Sequence, residues 1–129
     1  MARKGQQYTW ADFPARRDEQ GWHCRGCGAV LAGRRTAWCG RACLRAVLLK
    51  VHWGTIRAAA RRRDRWRCVL CGERATDVDH IVELADGGSF HDQSNLRSLC
   101  REHHKAKTAE SRRARAAARR AEKAGERVS

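Results

Sequence analysis

The sequence predicts a small α+β fold stabilised by bound zinc rather than by a large apolar core. Three observations predict it. Seven cysteines fall into closely spaced sets, a strand, loop, strand, helix pattern is bracketed by the second set, and large apolar rings are scarce, with 2 Phe and 1 Tyr in 129 residues. Such a chain is one small domain or two very small modules. Units below roughly 70–80 residues commonly add disulfides or structural metals.

The spacing says which. The opening stretch MARKGQQYTWADFPARRDEQ has a basic start but lacks the apolar run of a secretory signal. No later segment approaches the roughly 20 apolar residues of a membrane span. A cytoplasmic protein without membrane association is therefore expected, in which thiols stay reduced and paired cysteines signal metal. Cys24, Cys27, Cys39 and Cys43 form a four-thiolate set, and Cys68, Cys71, Cys100 and His103 a set of three thiolates and one imidazole. Both are closed tetrahedral donor sets of the structural zinc type.

Taken in order, residues 1–19 read as a loose N-terminus and 20–53 as the four-cysteine module. Its last part, RACLRAVLLKVHW, is one helix with an apolar period at Leu44, Val47, Leu48 and Val51. Trp22, Trp38 and Trp53 with Leu31, Val47, Leu48 and Leu49 are expected to cluster around its zinc. No Gly/Ser/Pro-rich linker separates this module from the unit at 54–110. Within that unit RAAARRRDRWR (57–67) is a helix, 76–84 a strand carrying Asp79 and His80, ADGG a turn, and 96–99 a second strand leading into a helix near Arg101. Residues 111–129 form a basic Ala/Arg-rich helical tail with almost no large apolar side chain.

In CREHHK, His103 and His104 are neighbours, and neighbours on a helix point about 100° apart. If His103 closes the second zinc set, His104 faces something else. Its candidate companions are Asp79, His80 and Asn95. Each also has a plain structural reading, as a turn cap, a half-buried imidazole, a loop residue or a solvated helix residue. His23 and His91 read as solvent-facing, and His52 as a packing residue beside Trp53.

The run CVLC, VDHI, GG, NLRSLC, HHKAKT resembles the HNH endonuclease family, over about residues 56–108. The stretch GWHCRGCGAVLAGRRTAWCGRAC resembles zinc modules found ahead of this domain in some phage and bacterial members. His103 stands where the family more often has Cys. The resemblance implies a ββα-metal core that cuts nucleic acid, with His80 as general base, Asn95 holding the loop and orienting the base, and Asp79 and His104 as ligands of a catalytic divalent metal. Asn95 is left open as an additional metal contact. Because successive strand residues point to opposite faces, Asp79 and His80 converge only if the strand twists or ends there.

The chemistry suits these residue types. Phosphodiester hydrolysis needs an activated water, neutralised phosphoryl oxygens and help for the departing 3′ oxygen. An unperturbed imidazole, titrating at about 6.5, accepts a proton near neutral pH. A carboxylate and an imidazole suit Mg²⁺, Mn²⁺, Ni²⁺ or Zn²⁺ alike.

A formal charge of +14 marks a polyanionic partner. Arg57, Arg61, Arg62, Arg65 and Lys105 are the expected phosphate contacts, with Arg34 and Arg35 as additions, and the tail either binds DNA or only solubilises. Such contacts carry affinity rather than base readout, and charge alone does not separate DNA from RNA. The expectation is a metal-dependent DNA endonuclease, nicking or cutting both strands, in phage DNA processing or packaging with a terminase-like partner, in a bacterial cell or infected host. The alternative is an inactive zinc-stabilised nucleic-acid-binding protein.

Overall fold

The computed structural model describes residues 7–128; residues 1–6 and 129, including the start of the segment read as loose, lie outside the described residues. The remainder of that segment is ordered by contacts. Trp10–Asp12 form a 3-10 turn capped by Thr9, and β1 (Arg16–Asp18) pairs antiparallel with β2 (Gly21–His23). Arg25 donates to the Phe13 carbonyl at 2.7 Å, and the Lys50 ammonium lies 5.1 Å from the Tyr8 ring centroid.

After the first cysteine set come α1 (Arg41–Val51) and α2 (Trp53–Arg63). The single helix expected through Trp53 breaks at His52. Its extended backbone ends α1, and its side chain accepts the Thr55 amide at 3.2 Å. His52 is thus the N-cap of α2, satisfying a donor that a helix start leaves without a partner, rather than a packing residue.

β3 (Asp77–His80) and β4 (Leu96–Leu99) form an antiparallel hairpin, and α3 (Arg101–Val128) follows directly. This is a ββα unit, and the whole chain is a small α+β fold. β4 matches its expected span, whereas β3 is shorter than 76–84. Beyond His80 the Ile81 amide leaves the ladder for the Asn95 carbonyl at 2.8 Å, and the Val82 amide goes to the Asn95 side chain. α3 is one helix of 28 residues that carries the whole described tail.

Register fixes the faces. Asp79 lies opposite Arg97, and His80 opposite Leu96. Val78 and Leu96 pack with Ile56 and Ala60 of α2, joined by Trp53 and Phe90. His80 shares that face, while Asp77 and Asp79 share the other, against α3. Trp53 therefore belongs to this core, not to a cluster with Trp22 and Trp38. Burying Ile56 or Leu96 contributes only about 1.5–3 kcal/mol each, so polar ties matter.

One such tie clasps α2 to the hairpin. Arg63 donates to the Gln93 and Leu96 carbonyls, each at 2.6 Å, and pairs with Asp64, which accepts the Ser98 amide at 3.0 Å. Arg63 holds the Asp64 carboxyl below its ordinary range, against the opposing effect of burial and with help from the Ser98 amide. Asp64→Ala should destabilise the metal-loaded protein by roughly 2–3 kcal/mol, measured by urea unfolding. Since the folded-state pKa is lowered, that stabilisation is present above the unfolded value of about 3.9 and is lost as pH falls through the folded one. The difference between wild type and variant should therefore shrink in acid.

Candidate active site and metal centres

The two cysteine-rich sets assemble as their spacing implies. In each, the four ligand atoms lie within 4.8 Å of one another, with Cys24 and Cys68 buried. Cys39 Sγ is 3.3 Å from Cys43 Sγ, and Cys100 Sγ is 3.1 Å from His103 Nδ1. Burial resists ionisation of Cys24, but the amides of Cys27, Cys39 and Gly26 outweigh it and bring the thiol down to about 6. Cys68 reaches about 6 in the same way, through the amides of Cys100, Leu70 and Cys71. Cys43 is pushed up to about 12 by Cys39 and then Cys27. Crowded thiols with one ionised member each make a donor set that a dication relieves. The chemistry and closeness of both sets fit zinc.

His103 and His104 part company as the helix requires. His103 faces the cysteines, and His104 Nδ1 lies 3.8 Å from Asp77 Oδ2. Asp77 was missed in the sequence; its place two residues before Asp79, on the same strand face, is the signal that could have found it.

His80 ends β3 on the α2 face. Its ring stacks on Trp53 at 5.3 Å and on Phe90 at 5.8 Å, with interplanar angles of 24° and 27°. Its Nε2 lies 3.0 Å from the Phe90 carbonyl. A carbonyl only accepts, so the neutral ring carries its proton on Nε2 and keeps a lone pair on Nδ1.

Asn95 closes the loop that supplies Phe90. Its Oδ1 accepts the Val82 amide at 2.8 Å, and its Nδ2 donates to the Val82 and Ser89 carbonyls at 3.0 and 2.8 Å. The loop needs glycine where it crosses this bridge. A Cβ on Gly88 would lie 1.8 Å from the Val82 carbonyl oxygen.

On the other face, Asp79 Oδ2 accepts Arg97 Nε at 3.4 Å and Lys107 Nζ at 2.5 Å. Lys107 also donates to the His80 carbonyl, tying together the strand end where the two faces meet. Sequence reasoning chose Lys105, which is exposed, and missed Lys107, one helical turn beyond His103. Both cations engage Oδ2, so the carboxylate is already charge-compensated and Oδ1 is the oxygen left to a divalent ion. Among the described residues no hydrogen bond or ion pair joins the His80 ring to Asp79 or His104, and only the two cysteine-rich sets gather three or more potential ligands.

The remaining nominated cations divide. Arg57, Arg62 and Arg65 are exposed on α2 and its C-terminal end. Arg61 donates to the Thr76 carbonyl at 2.7 Å, and Arg35 to the Cys39 carbonyl at 2.5 Å. Arg115 of the tail pairs with Glu83, beside a groove of mixed charge lined by Ile81, Asp86, Arg97, Lys107 and Glu110. Two other histidines differ from expectation. His23 is buried, with Nε2 2.7 Å from Asp18 and Nδ1 3.0 Å from the Gly28 carbonyl. His91 packs edge-on against Tyr8 at 5.1 Å.

A two-stranded hairpin, a following helix and a candidate metal-ligand set at their junction make a ββα unit of the metal-binding kind. The HNH endonuclease family profile matches residues 68–110. A "Probable HNH endonuclease" from Lactococcus phage SK1 is 38% identical over 72 residues, spanning 50% of this chain and 77% of that protein. The chain belongs to the HNH endonuclease family. No solved structure matches it at a significant level. None of the helices among the described residues is long and apolar enough to cross a membrane.

Proposed function

We propose that this protein hydrolyses DNA phosphodiester bonds with His80 as general base, and that each cysteine-rich set holds a structural zinc ion. The observation that carries this reading is the 3.0 Å contact of His80 Nε2 with the Phe90 carbonyl. Phe90 supplies both a carbonyl that holds Nε2–H and a ring that, with Trp53, sets the imidazole plane, leaving Nδ1 to take a proton from water. Asn95 pins the loop on which Phe90 lies, so it positions the base. All three of its polar contacts go to backbone, which favours the positioning role over metal contact.

Asp79 and His104 are the residues that would hold one divalent ion, Mg²⁺, Mn²⁺, Ni²⁺ or Zn²⁺. Bound there, it would neutralise phosphoryl oxygens and the departing 3′ oxygen. Asp77 Oδ2 lies 3.8 Å from His104 Nδ1, where a small approach would give a ligating imidazole its usual carboxylate support and leave Nε2 for coordination. Arg97 and Lys107 hold Asp79 in place. Arg57, Arg61, Arg62, Arg65 and Lys105 supply phosphate contacts.

The relative's phage origin favours a role in phage DNA processing, where a packaging partner such as a terminase is a fitting companion. The test is conversion of supercoiled plasmid by zinc-loaded protein with and without added Mg²⁺, Mn²⁺ or Ni²⁺. Nicked or linear product that requires the added ion supports the reading. Plasmid bound but never cut under any ion would favour the binding-only alternative.

A further inference from the structure

We propose that Trp66 is a stacking platform for an unpaired base, set among arginines that hold the flanking phosphates, at the end of α2. The proposal rests on the nucleic-acid reading above and adds a second contact region to it.

The local geometry begins with how α2 stops. The Trp66 amide donates to the Arg61 carbonyl at 2.8 Å, and the Arg65 amide to the Arg62 carbonyl at 3.2 Å. These are the two bonds of a Schellman helix end, in which the first residue past the cap adopts a left-handed backbone and is usually glycine. Here that residue is Arg65 at φ 55°, and Trp66 follows at φ 60°. Neither has the freedom of glycine, so the chain keeps two bulky side chains where its backbone disfavours them.

Those side chains face outward. Trp66 is 50% exposed, although the small core of Ile56, Ala60 and Leu96 lies against the same helix. The Arg61 guanidinium lies 5.7 Å from the ring centroid, and the Thr76 carbonyl fixes it there. Arg62, Arg65 and Arg67 are exposed alongside. Asp64, in the same turn, is engaged by Arg63 and the Ser98 amide, which leaves the cluster basic. An exposed indole beside the Arg61 guanidinium, with three further exposed arginines on the same short segment, fits a base and its phosphates, because every base has a π-face and each phosphate a charge. A protein partner would have to bury several cations to reach the ring.

The test is binding of a fluorescein-labelled 20-nucleotide single strand and of its fully paired duplex to zinc-loaded protein, without added divalent ion so that no cleavage intervenes. Trp66→Ala should bind the single strand about 10-fold more weakly, lose less on the duplex, and keep the wild-type salt slope. Trp66→Tyr should recover most of the loss. Arg65→Gly should raise the denaturation midpoint, since glycine suits the left-handed site, yet weaken binding and lower the salt slope by about 0.7. If Trp66→Ala does not retain its zinc, Trp66→Met, apolar but without a ring, replaces it. Unchanged single-strand affinity, an equal loss on both probes, or no recovery with Tyr would overturn the proposal. A protein that binds as described but never cuts plasmid loses the nuclease reading and keeps this one.

Discussion

His80→Ala should lower the plasmid cleavage rate by roughly 10²–10⁴-fold, the usual contribution of a positioned general base, while the protein stays folded and keeps both zinc ions. The expectation follows from where the ring sits. It is held at the end of β3 against Trp53 and Phe90, whose own rings lie 5.6 Å apart, and makes one hydrogen bond, to the Phe90 carbonyl. Its removal opens space beside two rings that remain packed on Ile56, Ala60 and Leu96. Neither cysteine-rich set loses a donor. Single-turnover kinetics with far-UV circular dichroism and zinc content as controls check this. A variant that cuts at the wild-type rate would remove His80 from the chemistry. Asn95→Ala should lower the rate less and also reduce stability, because the loop carrying Phe90 loses its three ties to backbone.

Stripping zinc should unfold the protein altogether. A structural zinc ion contributes on the order of 10–16 kcal/mol of apparent binding free energy, comparable to or larger than the 5–15 kcal/mol by which domains are typically stable. The apolar core here is small. The second set joins the turn of Cys68 and Cys71 to Cys100 and His103 where β4 passes into α3, so its loss frees the ββα unit at its junction. Circular dichroism during titration with a strong chelator should show helix loss tracking zinc release, and Cys100→Ser should reproduce it at far lower chelator concentration. Native-like helix content and urea resistance after complete zinc removal would show that the metal does not hold the fold.

Much of this architecture was legible because candidate metal ligands declare themselves by spacing. Cys68, Cys71, Cys100 and His103 needed only donor chemistry and helical period to be grouped, and His104 was separated from His103 by the same period. β4 was legible as a short apolar run before a helix start. The end of β3 was not, since nothing local in Ile81 and Val82 says that Asn95, far along the chain, captures their backbone. The ordering of residues 8–18 by Lys50 and Arg25 was hidden for the same reason, as was the burial of His23 against Asp18. Roles at the candidate site divided similarly. His80, Asn95 and His104 stood out by motif, but Lys107 and Asp77 gain meaning only once the hairpin lies on α3.

The central claim is that three imidazoles have three different tasks: His80 as base, His103 as structural ligand and His104 as catalytic-ion ligand. Electron paramagnetic resonance titration of zinc-loaded protein with Mn²⁺ tests it without reliance on turnover. Wild type and His80→Ala should each bind one Mn²⁺, while Asp79→Asn and His104→Ala should lose that site and keep both zinc ions. Mn²⁺ binding that survives Asp79→Asn and His104→Ala, or that disappears with His80→Ala, would contradict the account.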